Sequence, residues 1–334
     1  MAFGLRLAVW FLVAVWPVPA AAQPHDGVGL RALGMGGAFV AVADDASATY
    51  WNPAGLATGR FFSFVFDTGR TESDAQRQTG TLIAVGTPPL GVSYYRLSTV
   101  AVGLPSETRS GPAPGLASGS GSNQGDGRVP LARLRTSHVG VTLVQTLIDR
   151  LHLGGTLKYV HGTAGAGSAP GDIEEPLDQA STLMGSGSGA FDVDLGLIAD
   201  FGRARAGLTV RNLLEPDFDP PGGDPVSLSR QVRAGVAVFP SSTLSLAADA
   251  DLTRSFDLAG ERRSLAFGAE QRLWQERLGV RGGMRLSTVG GARAAVTAGA
   301  SGAFRTGVYA DAYVAIGVGA RSASGGGVGV RVIF

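Results

Sequence analysis

Phe191-Asp192-Val193-Asp194-Leu195-Gly196-Leu197-Ile198-Ala199-Asp200-Phe201 presents two kinds of surface in alternation. Phe191, Val193, Leu195, Leu197, Ala199 and Phe201 fall on one face; Asp192, Asp194, Gly196 and Asp200 fall on the other. A period of two is the period of a β-strand, so this strand meets two different solvents. One apolar and one charged face over about ten residues suits a strand that crosses an outer membrane, with lipid outside and water inside. The pattern recurs down the chain to Phe334.

The flanks of that pattern agree with an exported barrel. Arg6 followed by the apolar run Leu7–Trp16 and by Ala20-Ala21-Ala22 has the form of a secretory signal peptide cut after Ala22. No other segment reaches 18 apolar residues without charge, so no transmembrane helix is expected. Hydrophobic residues make up 44% of the chain, yet they alternate instead of clustering. The chain has no cysteine, which excludes a disulfide framework, thiolate chemistry and a lipidation cysteine. A net charge of +1 gives no electrostatic case for nucleic acid.

The alternation predicts about fourteen strands: 61–68, 79–86, 90–98, 134–147, 150–163, 188–201, 203–213, 230–239, 243–253, 262–274, 277–287, 292–302, 305–316 and 327–334. Short connections are expected at Pro88-Pro89, Asp149, Gly202, Pro240–Ser242, Gln275-Glu276 and Ala303-Phe304. Long ones are expected at 69–78, 99–133, 164–187, 214–229 and 254–261, with shorter ones at 288–291 and 320–326. Outer-membrane barrels keep short turns in the periplasm and long loops outside, which puts both mature termini in the periplasm. The long loops are rich in Gly, Ser and Pro, and 111–127 is of low complexity. The expected division is a signal peptide at 1–22, a plug at 23–58 and the barrel at 59–334.

Parity assigns an inward face. It holds Lys158, Asp192, Asp194, Asp200, Arg205, Arg211, Arg233, Asp249, Asp251, Glu270, Arg272, Arg281, Arg285, Asp311 and Arg331, while their neighbours are mostly Val, Leu, Ala and Phe. An Arg or Lys on the lipid face would cost about 2–4 kcal/mol at the midplane, so these charges belong in the lumen, paired with one another or with a plug. In the last strand Val328, Val330, Val332 and Phe334 share a face opposite Gly329 and Arg331. A terminal aromatic on an amphipathic strand resembles the signal by which barrel-assembly machinery recognises outer-membrane barrels. Val330, Val332 and Phe334 carry it here.

The block Arg31–Ala57, RALGMGGAFVAVADDASATYWNPAGLA, lacks strand periodicity. Asp45 is placed to cap a short helix through Tyr50, and Asn52-Pro53 is a second cap with proline at the first helical position. Gly34, Gly36 and Gly37 permit a tight backbone path. Two short helical turns after a glycine-rich lead-in would fit inside a barrel. This block resembles the N-terminal plug, or hatch, of the long-chain fatty-acid transporter (FadL) superfamily, particularly its smaller PorV/PorQ-like and conjugal-transfer-associated members. The residues that carry the match are Gly34, Met35, Gly36, Gly37, Asp44, Asp45, Asn52, Pro53, Ala54 and Gly55, with Asn52-Pro53-Ala54 the family's most typical mark. The resemblance implies a fourteen-stranded all-β transmembrane barrel with its N-terminal segment in the lumen. In fatty-acid transporters it further implies passive uptake of a hydrophobic ligand, with hatch movement and sideways release into the bilayer. In PorV-like relatives it implies a shuttle, anchor or scaffold for secreted or envelope proteins.

No enzyme chemistry is legible. There is no P-loop or HExxH, and Gly34-Met35-Gly36-Gly37 has no βαβ unit around it. His25, His138, His152 and His161 are scattered, and a hydrolase would need one of them paired with a serine near the outer rim. Asp192 and Asp194 could bind Ca²⁺, but ion pairing with arginines of the lumen explains them better. No cofactor or metal is expected. The expected surroundings are outer-membrane lipid and the assembly machinery, with either a hydrophobic ligand or a protein partner.

Overall fold

The computed structural model describes residues 27–102, 128–170, 175–218, 226–257, 260–289, 294–319 and 323–334. The expected signal peptide and the low-complexity stretch 111–127 lie outside them.

Fourteen antiparallel strands close a barrel. They are β1 (Ser63–Ser73), β2 (Gln76–Thr87), β3 (Leu90–Val102), β4 (Arg128–Ile148), β5 (Leu151–Pro170), β6 (Ser186–Asp200), β7 (Ala204–Arg211), β10 (Gln231–Ser241), β11 (Leu244–Asp251), β14 (Ser264–Leu273), β15 (Leu278–Ser287), β16 (Ala294–Arg305), β17 (Val308–Val318) and β18 (Ser324–Ile333). Two small hairpins, β8 (Asp217–Phe218) with β9 (Val226–Ser227) and β12 (Ser255–Asp257) with β13 (Gly260–Arg262), stand apart from the wall. β18 pairs β1 from Ser63↔Ile333 to Glu72↔Ser324, which closes the circle. Phe62 and Phe334 exchange backbone hydrogen bonds at that seam, and their rings stack at 6.3 Å.

Outward positions remain apolar and uncovered. Val141, Leu143, Leu157, Ile316 and Val328 are each more than half exposed. A continuous surface of this kind would be unfavourable in water and is suited to lipid. Among the described residues no helix is long and apolar enough to cross a membrane.

The structure moves several expected boundaries. The expected loop at 69–78 is mostly strand: β1 and β2 run on to a turn at Asp74-Ala75. β4 and β5 likewise extend to Arg128 and Pro170, so 164–170 is strand, and α3 (Pro176–Thr182) lies between it and β6. Beyond the lipid both faces of a strand meet water, and the alternation that marks a strand fades. The expected loops 214–229 and 254–261 contain the two small hairpins. The turn expected at Ala303-Phe304 lies at Thr306-Gly307, where Gly307 takes φ +78°.

Residues 27–59 sit inside the circle. Helix α1 (Leu30–Gly34) touches β1 and β15–β18, while a 3-10 helix (Pro53–Thr58) touches β4, β5 and β6 on the other side. Helix α2 (Ala48–Trp51) lies between them against β3. The plug contributes most of the apolar core, including Met35, Phe39, Val42, Tyr50 and Trp51. Each such side chain withdrawn from water favours this packing by about 1.5–3 kcal/mol.

Candidate functional site: the plug–lumen interface

Helix α1 was not expected from the glycine-rich sequence. Its N-cap Gly29 takes φ +89°, and the Leu30 amide donates to Asp67 Oδ2 at 2.9 Å. The carboxylate thus satisfies an amide that the helix leaves free. Asp67 lies on the inward face of β1, one strand repeat from the buried Val65, and sequence reading passed over it.

The helix also carries Arg31 into the densest charge cluster of the lumen. Arg31 Nε and Nη2 donate to Glu270 Oε1 and Oε2 at 2.9 and 2.6 Å, a two-pronged pairing. Its Nη1 pairs with Asp44, and with Asp45 Oδ2 at 3.2 Å. Arg272 approaches Glu270 at 3.5 Å and Asp44 at 3.8 Å. Arg281 lies 3.6 Å from Glu270 and also pairs with Asp311, whose other oxygen accepts from Arg331 Nε at 3.2 Å. Four guanidinium groups are thereby matched by four carboxylates. Taking ions out of water costs several kcal/mol each, and mutual pairing offsets that cost. Parity identified Glu270, Arg272, Arg281, Asp311 and Arg331; Arg31 has no parity because it precedes the strands. Arg285 lies on the same face of β15 as Arg281.

A second cluster holds the middle of the plug. Asp249 Oδ2 accepts from the Phe39 and Val40 amides at 2.8 and 2.9 Å. Arg233 Nε donates to Asp251 Oδ1 at 2.6 Å, and its Nη1 donates to Gly37 O at 3.2 Å. Asp45 does not cap a helix through Tyr50: Ser47 is the N-cap of α2, and Asp45 Oδ1 accepts from the Ser47 amide at 3.0 Å. A two-residue Asx turn competes with the longer cap and wins here.

Asn52 fastens the far end. Its Oδ1 accepts from the Ala54 amide at 3.2 Å, the cap expected from sequence. Its Nδ2 donates to Val40 O at 2.8 Å within the plug and to Leu197 O at 3.2 Å in the wall. The Pro53-Ala54 backbone presses on Gly154 and Gly196. A Cβ built on Gly154 would lie 2.3 Å from the Ala54 nitrogen, and one on Gly196 would lie 2.0 Å from Asn52 Oδ1. Met35 presses similarly on Gly268 and Gly283. Asp200 and Arg205 pair at 2.8 Å near this end, where Arg205 also reaches Thr58.

The third cluster closes a gap in the wall. β7 pairs with β6 only from Leu195↔Val210 to Asp200↔Arg205, so β6 above Leu195 has no β7 partner. The chain leaves β7 through Asn212, at φ 53°. The amides of Asn212, Leu213 and Leu214 return to Asp194 Oδ1, Val193 O and Asp192 Oδ1 at 2.8, 3.0 and 3.0 Å. Lys158 Nζ ties this seam together, at 2.6 Å from Asp194, 3.1 Å from Asp192 and 2.9 Å from Asn212 Oδ1. The partner of the two aspartates is therefore a lysine, not an arginine. Arg211 lies 3.8 Å above the Tyr50 ring, and Tyr50 meets Tyr95 edge-on at 5.0 Å. Phe218 of β8 covers the cluster from above, buried with Val160 and Leu228. Neither role is legible in the sequence: the expected strand 203–213 runs through Asn212, where β7 has already ended, and Phe218 falls in an expected loop.

A recess of about 100 Å³ lies beneath the plug, lined by Arg31, Asp44, Asp45, Arg60, Arg272 and Arg331 among others. Its charged lining suits water, not an apolar guest.

The fold is similar to solved hydrophobic-compound channels. The Ralstonia pickettii toluene transporter TbuX superposes with a TM-score of 0.60 at 16% identity, covering 92% of this chain and 99% of that one. The Pseudomonas putida toluene transporter TodX gives 0.61 at 13% identity, covering 94% and 98%. A Pseudomonas aeruginosa FadL homologue gives 0.57 at 12% identity, covering 94% and 98%. The chain thus shares the barrel fold of these proteins. Residues 92–251, just under half of the chain, match a family model described as F plasmid transfer operon, TraF, protein. No curated protein matches the sequence.

Proposed function

We propose that this chain is a plugged outer-membrane channel that admits small hydrophobic molecules and that the structure is its closed state. The observation that carries the reading is a fourteen-stranded barrel with a buried N-terminal plug, whose fold superposes over nearly the whole length of proteins described as toluene transporters. The uncovered apolar belt supports placement in a membrane. The seam between β6 and β7 supplies a route through the wall. Two aspartates, Lys158 and a single backbone hydrogen bond, not a continuous strand ladder, complete it, so it can open at the cost of fewer ladder bonds than any other seam of the wall would lose.

The glycolipid outer leaflet is the barrier such a channel bypasses, so intact cells are the proper assay. Gram-negative cells producing the barrel should take up labelled toluene faster than matched cells without it. No increase at equal barrel levels overturns the channel reading.

A second reading, a non-transporting barrel that serves protein secretion or envelope assembly, is favoured by one observation. The lumen is filled by matched charges and backbone contacts, and the recess below the plug is polar. Native mass spectrometry of the barrel extracted in mild detergent separates the two. A retained apolar ligand supports the channel; a stoichiometric protein partner with no ligand supports the scaffold.

A further inference from the structure

Strands β3, β4 and β5 contain no aspartate or glutamate, yet three arginines stand on their outward face. Arg96 faces out from β3, opposite Ser137 of β4. Arg135 faces out from β4, opposite Ser98 and Thr163, and Arg133 lies one repeat further along, opposite Val100 and Gly165. Diagonal neighbours on one face of a sheet lie about 7–8 Å apart, so the three guanidinium groups form one patch. His161 borders it, opposite Ser137 on β5.

The height of the patch matters. Below it on β4 the outward residues are Val139, Val141, Leu143, Gln145 and Leu147, an apolar run but for one glutamine. At about 3.3 Å per residue and a tilt of ~40°, that run spans about 20 Å, close to the full apolar belt. Tyr94 and Tyr159, on the outward faces of β3 and β5, mark its upper margin, and Arg96 lies over the Tyr94 ring. The arginines begin where the belt ends, at the end of the barrel opposite Phe334.

On the adjoining strands, arginines at similar height have carboxylates: Arg70 and Arg77 both pair with Glu72, and Arg77 also pairs with Asp178 of α3. Among the described residues Arg96 and Arg135 have no carboxylate in pairing distance; Arg96 donates to Ser137, and Arg133 donates to the Leu183 carbonyl at 3.1 Å. Helix α3 packs its apolar side on Val100, Leu131 and Ala169 and borders the patch on its outer side. Hydroxyls of Ser98, Ser137 and Thr163 lie among the guanidinium groups and add neutral donors.

We infer that this patch binds the phosphorylated headgroup of an outer-leaflet glycolipid. Guanidinium groups match phosphate in charge and in two-pronged geometry, and an apolar wall directly below receives the acyl chains. A soluble anion would find the same charge but no use for the wall. The inference rests on the outer-membrane reading for its biological setting, but its chemistry is testable without it.

The test uses the full chain in non-ionic detergent, titrated with diphosphoryl lipid A. Arg96→Gln, Arg133→Gln and Arg135→Gln combined should weaken binding at least tenfold while the folded barrel keeps its gel mobility. Arg150→Gln, Arg203→Gln and Arg277→Gln combined, in the turns at the opposite end, should leave binding unchanged. Dephosphorylated lipid A should bind weakly and alike to all three proteins. Equal affinity of the patch variant and the unaltered barrel overturns the inference, as does equal loss in the opposite-end variant. Competition by inorganic phosphate at the same phosphate concentration would identify an adventitious anion site and overturn the lipid assignment. Membrane fractionation is scored separately: a barrel absent from the outer membrane defeats the location while leaving the binding result standing.

Discussion

Arg31 is the residue on which the plug's electrostatics turn. It is buried and touches three carboxylates, two from the plug and one from the wall. Removing one member of a buried ion cluster leaves the others desolvated and unmatched, at a cost of about 3–5 kcal/mol. Arg31→Met should therefore lower the urea midpoint at which the compact, heat-modifiable form of the barrel is lost. Arg31→Met with Glu270→Gln should lose less than the two single changes added together, because the groups share one interaction. Additive losses would show that Arg31 and Glu270 act separately. The wall half of this cluster was legible because a strand residue has a face, and the face follows from its neighbours. The plug half was not, since irregular backbone has no period from which to read direction. Arg31 in the sequence is simply a charge beside Leu30 and Ala32.

The Asn52–Thr58 turn shows the same contrast between local and distant information. Its cap and its proline can be read locally, and the 3-10 helix Pro53–Thr58 follows from them. The glycines that receive it, Gly154 and Gly196, lie a hundred residues and more away and look like ordinary strand glycines. Two substitutions separate these contributions. Asn52→Ala removes the cap and strands two carbonyls, so hydrogen exchange should quicken at 48–58 while the wall amides of β5 and β6 stay protected. The cap alone is worth about 1 kcal/mol. Gly154→Ala places a Cβ 2.3 Å from plug backbone, which cannot yield as a flexible side chain can, and should displace the turn more fully. Greater protection in Gly154→Ala than in Asn52→Ala would refute the account of close backbone approach. Helix α3 is an element that sequence periodicity missed, being only two turns long in a stretch assigned to loop. Its ion pair to the wall is Arg77–Asp178, and the hydrogen bond from Arg77 lowers the Asp178 carboxyl below its ordinary value of 3.8. A lowered carboxyl contributes stability above its unfolded value and loses it as pH falls through the folded one. Amide protection in α3 should thus be constant from neutral pH down to about pH 5 and fall only in more acid solution. Because Asp178 is more than half exposed, the change should be small and confined to the helix.

At the scale of the whole molecule, the barrel's function depends on whether the plug moves. The outward faces and the closing strand say only that a barrel exists; the filled lumen says that nothing apolar passes in this state. A channel must then shift the plug, the seam or both, whereas a scaffold need shift neither. The lack of cysteine in this chain makes a direct test possible, since an introduced pair would be its only thiols. Ala46 and Gly86 are placed for it. A Cβ on Gly86 would lie 3.9 Å from the Ala46 Cβ, within the spacing that a disulfide bridges, and the Ala46 amide already donates to Ser63 of β1 at 2.8 Å. The same Cβ would meet Leu56 Cδ2 at 2.8 Å, the mobile end of a flexible side chain, so Gly86→Ala serves as the control for crowding. Ala46→Cys with Gly86→Cys, oxidised, should take up toluene no faster than cells without the barrel, and a reductant should restore the rate of the Gly86→Ala control. The unaltered barrel should ignore both reagents. Uptake that survives oxidation, with the cross-link verified by mass, would mean that molecules pass without plug movement. The seam held by Lys158, Asp192 and Asp194 would then be the gate by itself, and Lys158→Met, which leaves both carboxylates unmatched there, should change uptake where the plug lock did not.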